Sequence, residues 1–307
     1  MNDPTSLKFM NTKALLWAVL FGFVFMLSGA EALAAQDPGK IIARGVKGKV
    51  TAREKAADAS VNPVTVVKDM EIRQGMIVTT EQNSSVVLIF GNGAVVNLGT
   101  DSVLEIDAFT MEPSAAPLNP DTIVDEPTVS KTKINLTKGE LVGKVAKLNK
   151  AGGSEFTVQT PVGAAGIRGT TFRIVYRPNG TGQAFFSLTT VEGNVEVTLA
   201  SGVAPVVGVG ANQEVVLASV TVNVDNVTGA VTIVLPAGTS TAVQQATAAA
   251  TQIVLVAVQS IVEATAGVSF STAGPTVVVE TPPPPPKKDP APEPTQAQKT
   301  TTSGDGL

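Results

Sequence analysis

The 307-residue chain has no histidine and no cysteine, so its reactive side chains are carboxylates, hydroxyls, lysines and arginines. That removes the commonest general base, the thiolate nucleophile and most zinc and copper sites. Carboxylate pairs and Ser/Lys arrangements stay open. Glu140 with Glu155, and Glu192 with Glu196, are the pairs one would test for polysaccharide hydrolysis, although spacing along the chain does not set their separation. Glu105 and Asp107 alternate onto one strand face with Asp101 just upstream, a set that could converge on calcium. It lacks the dense Asp/Asn/Gly spacing of a calcium loop, and a solvated strand face is the expectation. Gly163, Gly166 and Gly169 invite a phosphate-loop reading, but no helix is expected after them and no Lys-Ser/Thr follows. No catalytic residue, cofactor or metal ligand is assigned, and a non-enzymatic protein is expected.

One short run does combine unusual residue types. In Ile167-Arg168-Gly169-Thr170-Thr171-Phe172, a glycine follows a long charged side chain and precedes a β-branched pair. A bend or bulge is expected at Gly169, with Phe172 turned into the core. Arg168 is then held near the surface, where its five donors suit bridging backbone carbonyls or a carboxylate. Arg168, Gly169, Thr170 and Phe172 are the candidate structural or partner-contact motif, with the structural role ranked first.

The elements that must position these residues are mostly strands. Hydrophobic residues make up 43% of the chain but aromatics only 4%, so the core is built from small and β-branched side chains. Short alternating runs at 64–67, 76–79, 85–90, 94–98 and 103–106 are separated by Gly75, Asn83-Ser84, Gly91-Asn92-Gly93 and Gly99-Thr100-Asp101. Pro113, Pro117, Pro120 and Pro127 mark an inserted surface loop over 107–130, either a binding loop or an idle excursion. Further strands are expected at 134–136, 140–145, 156–159 and 171–176. The run 183–191, a turn at Glu192-Gly193-Asn194 and the run 195–199 read as a hairpin, as do 215–224 and 230–235. A helix is expected over 241–266 from a Thr241/Gln244 capping box and an apolar repeat ending at Gly267, and a last strand within 275–280.

The expected fold class is therefore mainly β, a sandwich or a short solenoid, with one C-terminal helix and a disordered tail. Residues 1–35 read as a signal peptide: Lys8 and Lys13 precede an apolar run over 14–27, and Ala32-Leu33-Ala34 supplies a cleavage site. The alternative is an uncleaved anchor, the one case that implies membrane attachment. Either way the remainder is exported, to the periplasm or beyond. Residues 36–46 are expected as a linker, 47–235 as the β domain, 236–280 as the helix and short strand, and 281–307 as a Pro-rich disordered tail. The formal net charge of −4 gives no basic footprint, which sets nucleic acid aside as a partner.

Several stretches together resemble the FecR domain, known from the periplasmic part of iron-citrate sensors. They are Arg73-Gln-Gly-Met-Ile-Val-Thr-Thr80, Ser85-Val-Val-Leu-Ile-Phe-Gly-Asn-Gly93, Val96-Asn-Leu98, Leu136-Thr-Lys-Gly-Glu-Leu141, Thr160-Pro161-Val162-Gly163, Ile167 to Phe172, and Val191-Glu-Gly-Asn-Val195. The resemblance implies an all-β extracytoplasmic domain of the kind that relays receptor occupancy to a cytoplasmic sigma factor. Only a dozen or so residues precede the apolar run, too few to fold an anti-sigma domain, so direct transmembrane relay is not expected. The expectation is an exported, non-enzymatic protein that binds or scaffolds an envelope protein or cell-wall polymer. The alternative is a soluble periplasmic modulator of sigma-factor/receptor signalling, and a carboxylate-dependent polysaccharide hydrolase comes third. Sequence leaves the oligomeric state open.

Overall fold

A computed structural model describes residues 37–270, except 58–60, 115, 201–205, 226–227, 229 and 238–239, together with the backbone of 277–279. The expected signal peptide and Pro-rich tail lie outside the described residues.

The first half supplies β1 (Asp37–Pro38), β2 (Ile41–Lys47), β3 (Val50–Glu54), β4 (Val64–Thr65), β5 (Glu71–Ile72), β6 (Met76–Thr80), β7 (Ser85–Phe90), β8 (Val95–Leu98) and β9 (Val103–Met111). Then come β10 (Ser130–Val145), β11 (Glu155–Thr160), β12 (Gly163–Pro178) and β13 (Gln183–Leu199). Next are β14 (Val207–Gly210), β15 (Gln213–Val224), β16 (Val231–Val234) and β17 (Gln244–Gln245). Helix α1 (Ala248–Thr265) and a small pair, β18 (Val268–Phe270) with β19 (Val277–Val279), end the described chain.

The pairings sort into two sheets. One runs β4-β3-β6-β9, then the first half of β10, β11, the first part of β12, the second part of β13, and β14. The other runs β5-β2-β7-β8, then the second half of β10, the later part of β12, the first part of β13, and β15 with β16 and β17. Because β10 meets β11 with one half and β12 with the other, the pairings close into loops. The sheets themselves keep open edges at β4, β14, β5 and β16.

Strands β10, β12 and β13 thus cross from one sheet to the other, and each does so at a glycine with positive φ: Gly139 at 102°, Gly169 at 60° and Gly193 at 79°. Only glycine enters that region at low steric cost, and a strand that turns there re-aims its second half. The stretch 183–199 is consequently one bent strand rather than the hairpin its Glu192-Gly193-Asn194 chemistry suggests.

The inner faces of the two sheets meet in one core, which makes the architecture a sandwich rather than a solenoid. Phe90 from one sheet packs edge-on against Phe109 and Phe156 from the other, with ring centroids 5.1 and 6.1 Å away. The segment expected as a linker, 36–46, instead contributes β1 and the first part of β2, where Ile41, Ile42 and Ala43 are fully buried. In β7, Val86, Leu88 and Phe90 face that core while Val87 and Ile89 face the opposite way, beneath α1. A strand covered on both faces reads as a continuous apolar run.

Helix α1 starts at the Thr247 cap, whose hydroxyl accepts from the Ala250 amide, six residues later than the Thr241 cap of the capping-box reading. Gln244 and Gln245 are taken by pairing with Glu214 and Gln213 of β15, so the helix cannot begin there. Buried Glu214 then accepts from the Thr247 amide at 3.2 Å and from Gln244 Nε2 at 3.3 Å, which ties the helix start to the sheet. Although α1 is long and apolar enough to cross a membrane, Ala250, Val254, Ile261 and Ala264 are buried, and the last two pack on Ile42, Val87 and Ile89.

The expected insertion begins only after β9, and it is anchored. Leu118 and Phe270 exchange backbone hydrogen bonds at 3.0 and 2.8 Å, and the Glu126 amide donates to the Lys147 carbonyl at 2.9 Å.

Candidate functional site

Most of the carboxylates singled out above are occupied. Glu105 and Asp107 both grip the Lys55 ammonium, at 2.7 and 3.1 Å, and Asp101 takes Lys138 at 2.8 Å. Hydrogen bonds from Glu105 and then Asp107 raise the Lys55 pKa above its ordinary value. A lysine therefore stands where a calcium ion would have to sit, and no group of three metal-ligating side chains occurs among the described residues. Glu140 receives a bidentate fork from Arg173 at 2.7 and 3.0 Å and a third bond from Arg177 at 3.3 Å. Both oxygens of this carboxylate are thus already engaged by guanidinium groups.

Glu155 is far from Glu140. It pairs in register with Lys131, nine residues before Glu140 on the same strand. The straight stretch up to the bend at Gly139 is already about 25 Å long, far beyond the roughly 5–10 Å that a glycosidase pair spans. Glu192 accepts from Thr171 Oγ1 at 3.0 Å, on the other side of the Gly193 bend from Glu196.

The three glycines of the phosphate-loop reading have separate structural duties. A Cβ at Gly163 would collide with the Thr198 carbonyl, and Gly169 makes the bend. Gly166 is exposed, with only the Glu196 carbonyl 3.8 Å from where its Cβ would lie. Gly166 therefore leaves a floor open to solvent.

Around that floor lies a cavity of about 270 Å³. Strand β11 sets Glu155 and Thr157 along it, β12 sets Gly166 and Arg168, β13 sets Asn194 and Glu196, and the β10–β11 crossover brings Lys150. Register pairs Thr157 with Gly166, Gly166 with Glu196, and Arg168 with Asn194, so these side chains share the outer face of one sheet. Among the described residues, the side chains of Lys150, Glu155, Arg168 and Glu196 have no ion-pair partner. The bridging expected of Arg168 is accordingly not among its contacts, and its guanidinium is exposed.

Behind Arg168 the motif is firmly held. The ladder to β13 slips between Arg168 and Phe172, the Gly169 amide donates to the Ala146 carbonyl at 3.2 Å, and Phe172 is fully buried. The Phe172 ring occupies the space a Cβ at Gly143 would need. Thr170 is buried between them. Two cations, two carboxylates and an amide around a glycine floor present the donors and acceptors that can hold a polar segment. The sequence presents Asn194 only as a turn residue and does not single out Lys150, which sits in a crossover whose position depends on the parallel β10–β11 pairing.

Among curated proteins none matches the chain. Two crystal structures of a candidate anti-sigma factor from Parabacteroides distasonis, at 2.50 and 1.65 Å resolution, are similar at 14% and 15% identity, each with a TM-score of 0.33. Each comparison covers 52% of this chain and 59% of the other, so the chain spans well under two thirds of those proteins' length. The family model described as FecR protein matches residues 76–196, from the start of β6 to the Glu196 wall of the cavity. The chain thus carries a FecR domain over residues 76–196.

Proposed function

We propose that the chain is a non-enzymatic, exported FecR-domain protein that modulates receptor and sigma-factor signalling in the envelope by binding a protein partner at the Arg168 cavity. The FecR match over 76–196 carries this reading, because it ends on the strands that build that cavity. The engagement of Glu105, Asp107 and Glu140 by cations supports binding over catalysis. Export rests on the signal-peptide pattern of residues 1–35. The test is a strain carrying Arg168→Glu with Lys150→Glu beside a deletion strain. Sigma-dependent transcripts change in both if the reading is right, and unchanged transcripts in the deletion strain end it.

A second reading, attachment to a cell-wall polymer, is favoured by one observation. Asn135 pairs with Gln159 and Lys133 with Thr157 across β10 and β11, giving the outer face amides and a hydroxyl suited to sugar hydroxyls. Cosedimentation with purified wall material separates the two readings: retention that survives both charge reversals supports the polymer.

A further inference from the structure

We infer that the seam between α1 and the outer face of β2 holds a second site, one that takes a monoanionic carboxylate. Arg44 of β2 lies on this face and is only 6% exposed. Its Nε lies against the Asp69 carboxylate as an ion pair, yet neither Nε nor Nη2, both buried, makes a hydrogen bond among the described residues. A buried guanidinium donor without an acceptor is costly, so a native fold that keeps one has a use for it.

A cavity of about 310 Å³ opens beside it, at the lower end of small-ligand sites. The bulge at Gly45, with φ of 54°, turns Lys47 towards this cavity, and Lys68 reaches it from the loop before β5. Asn97 of β8 and Ser260 of α1 add an amide and a hydroxyl, and Glu263 stands on the helix side. Three cations against the carboxylates of Asp69 and Glu263 leave one positive charge. A monoanion balances that charge, and a dianionic phosphate does not. A carboxylate also matches the planar donor geometry of Arg44. It has two sources, a small free organic acid or the C-terminus of a partner chain.

The test uses the full chain, isotope-labelled, with amide resonances of Gly45, Asn97 and Ser260 followed during titration. The probes are acetate, an N-acetylated tripeptide with a free C-terminal carboxylate, and the same peptide amidated. Saturable shifts with the two carboxylates and none with the amide are expected. Lys47→Ala with Lys68→Ala should weaken binding about tenfold, whereas Glu263→Gln should tighten it about threefold. Because all three positions are exposed, those variants fold even if an Arg44→Met protein does not. Equal affinity for acetate and peptide assigns a small acid, and a peptide preference of about tenfold assigns a chain terminus. Absence of saturation, equal shifts with the amidated peptide, or binding indifferent to the lysine pair overturns the site.

Discussion

Gly193 lies so close to Gly169 across the β12–β13 ladder that a Cβ at 193 would overlap the Gly169 carbonyl oxygen. The two glycines are the points at which adjacent long strands leave one sheet and enter the other, and their contact keeps the two bends in phase. Gly180 has nearly the same φ, 78° against 79°, but nothing within 4 Å of its missing Cβ. The pair separates backbone strain from collision. Gly180→Ala should cost about 1 kcal/mol, and Gly193→Ala about 3 kcal/mol or more, in urea unfolding. Equal losses would show that the collision contributes nothing.

This contact also shows why part of the fold could not be read from the sequence. Glu192-Gly193-Asn194 has the chemistry of a hairpin turn, and a positive φ at Gly193 was legible. Whether the chain reverses or only bends depends on what lies opposite, and here Thr190 continues in register with Phe172, as Asn194 does with Arg168. In the same way the strand character of Ile41-Ile42-Ala43-Arg44 depends on β7 and on a helix some 200 residues later, none of it adjacent in sequence. The capping box at Thr241 is locally sound, but pairing of Gln244 and Gln245 to β15 overrides it. The bend at Gly169 and the core position of Phe172 were legible because both are local: a glycine within a strand marks a bend, and a large aromatic ring just after it gains most by burial.

Phe172 and Arg168 should respond in opposite ways. Phe172 is fully buried, so Phe172→Ala should lower stability by about 3–5 kcal/mol. Arg168 is exposed and unbridged, so Arg168→Ala should change stability by no more than about 0.5 kcal/mol while weakening capture of the partner. A large drop in melting temperature for Arg168→Ala would show that the side chain pins the fold.

Alkaline stability offers an independent check on burial. Desolvation raises the Tyr176 hydroxyl pKa above its ordinary 10.0, and the Glu105 and Asp107 contacts raise Lys55 above 10.5. In both cases the unfolded chain loses its proton first as pH rises. The stabilisation is therefore complete below the unfolded values, and it disappears as pH climbs through the folded ones. Tyr176→Phe should flatten the fall in stability above about pH 10. Lys55→Met should do so only weakly, because exposed pairs are screened. Calorimetry in low salt between about pH 9 and 11 measures both slopes. A Tyr176→Phe protein with an unaltered slope would count against desolvation as the cause.

Glu126 carries the last prediction, because it decides whether the insertion is an idle excursion. It is 6% exposed, and its Oε1 accepts from Ser130 Oγ and, at 3.4 Å, from Asn92 Nδ2. Its Oε2 accepts from the Asn149 amide at 3.1 Å. One carboxylate thus ties the insertion to β10, to the β7–β8 turn and to the β10–β11 crossover that carries Lys150. Glu126→Ala leaves the Ser130 hydroxyl and the Asn149 amide without an acceptor, while Asn92 keeps Ser130 Oγ at 2.8 Å, and this should cost about 2–4 kcal/mol. Glu126→Gln keeps the shape and one acceptor oxygen, so about half that loss is expected. Limited proteolysis should then cut the Glu126→Ala protein within 112–129 before the sandwich unfolds. Because Lys150 loses its support, partner capture at the Arg168 cavity should fall as well. Intact resistance to protease together with normal capture would mean that the insertion is held by its backbone bonds alone.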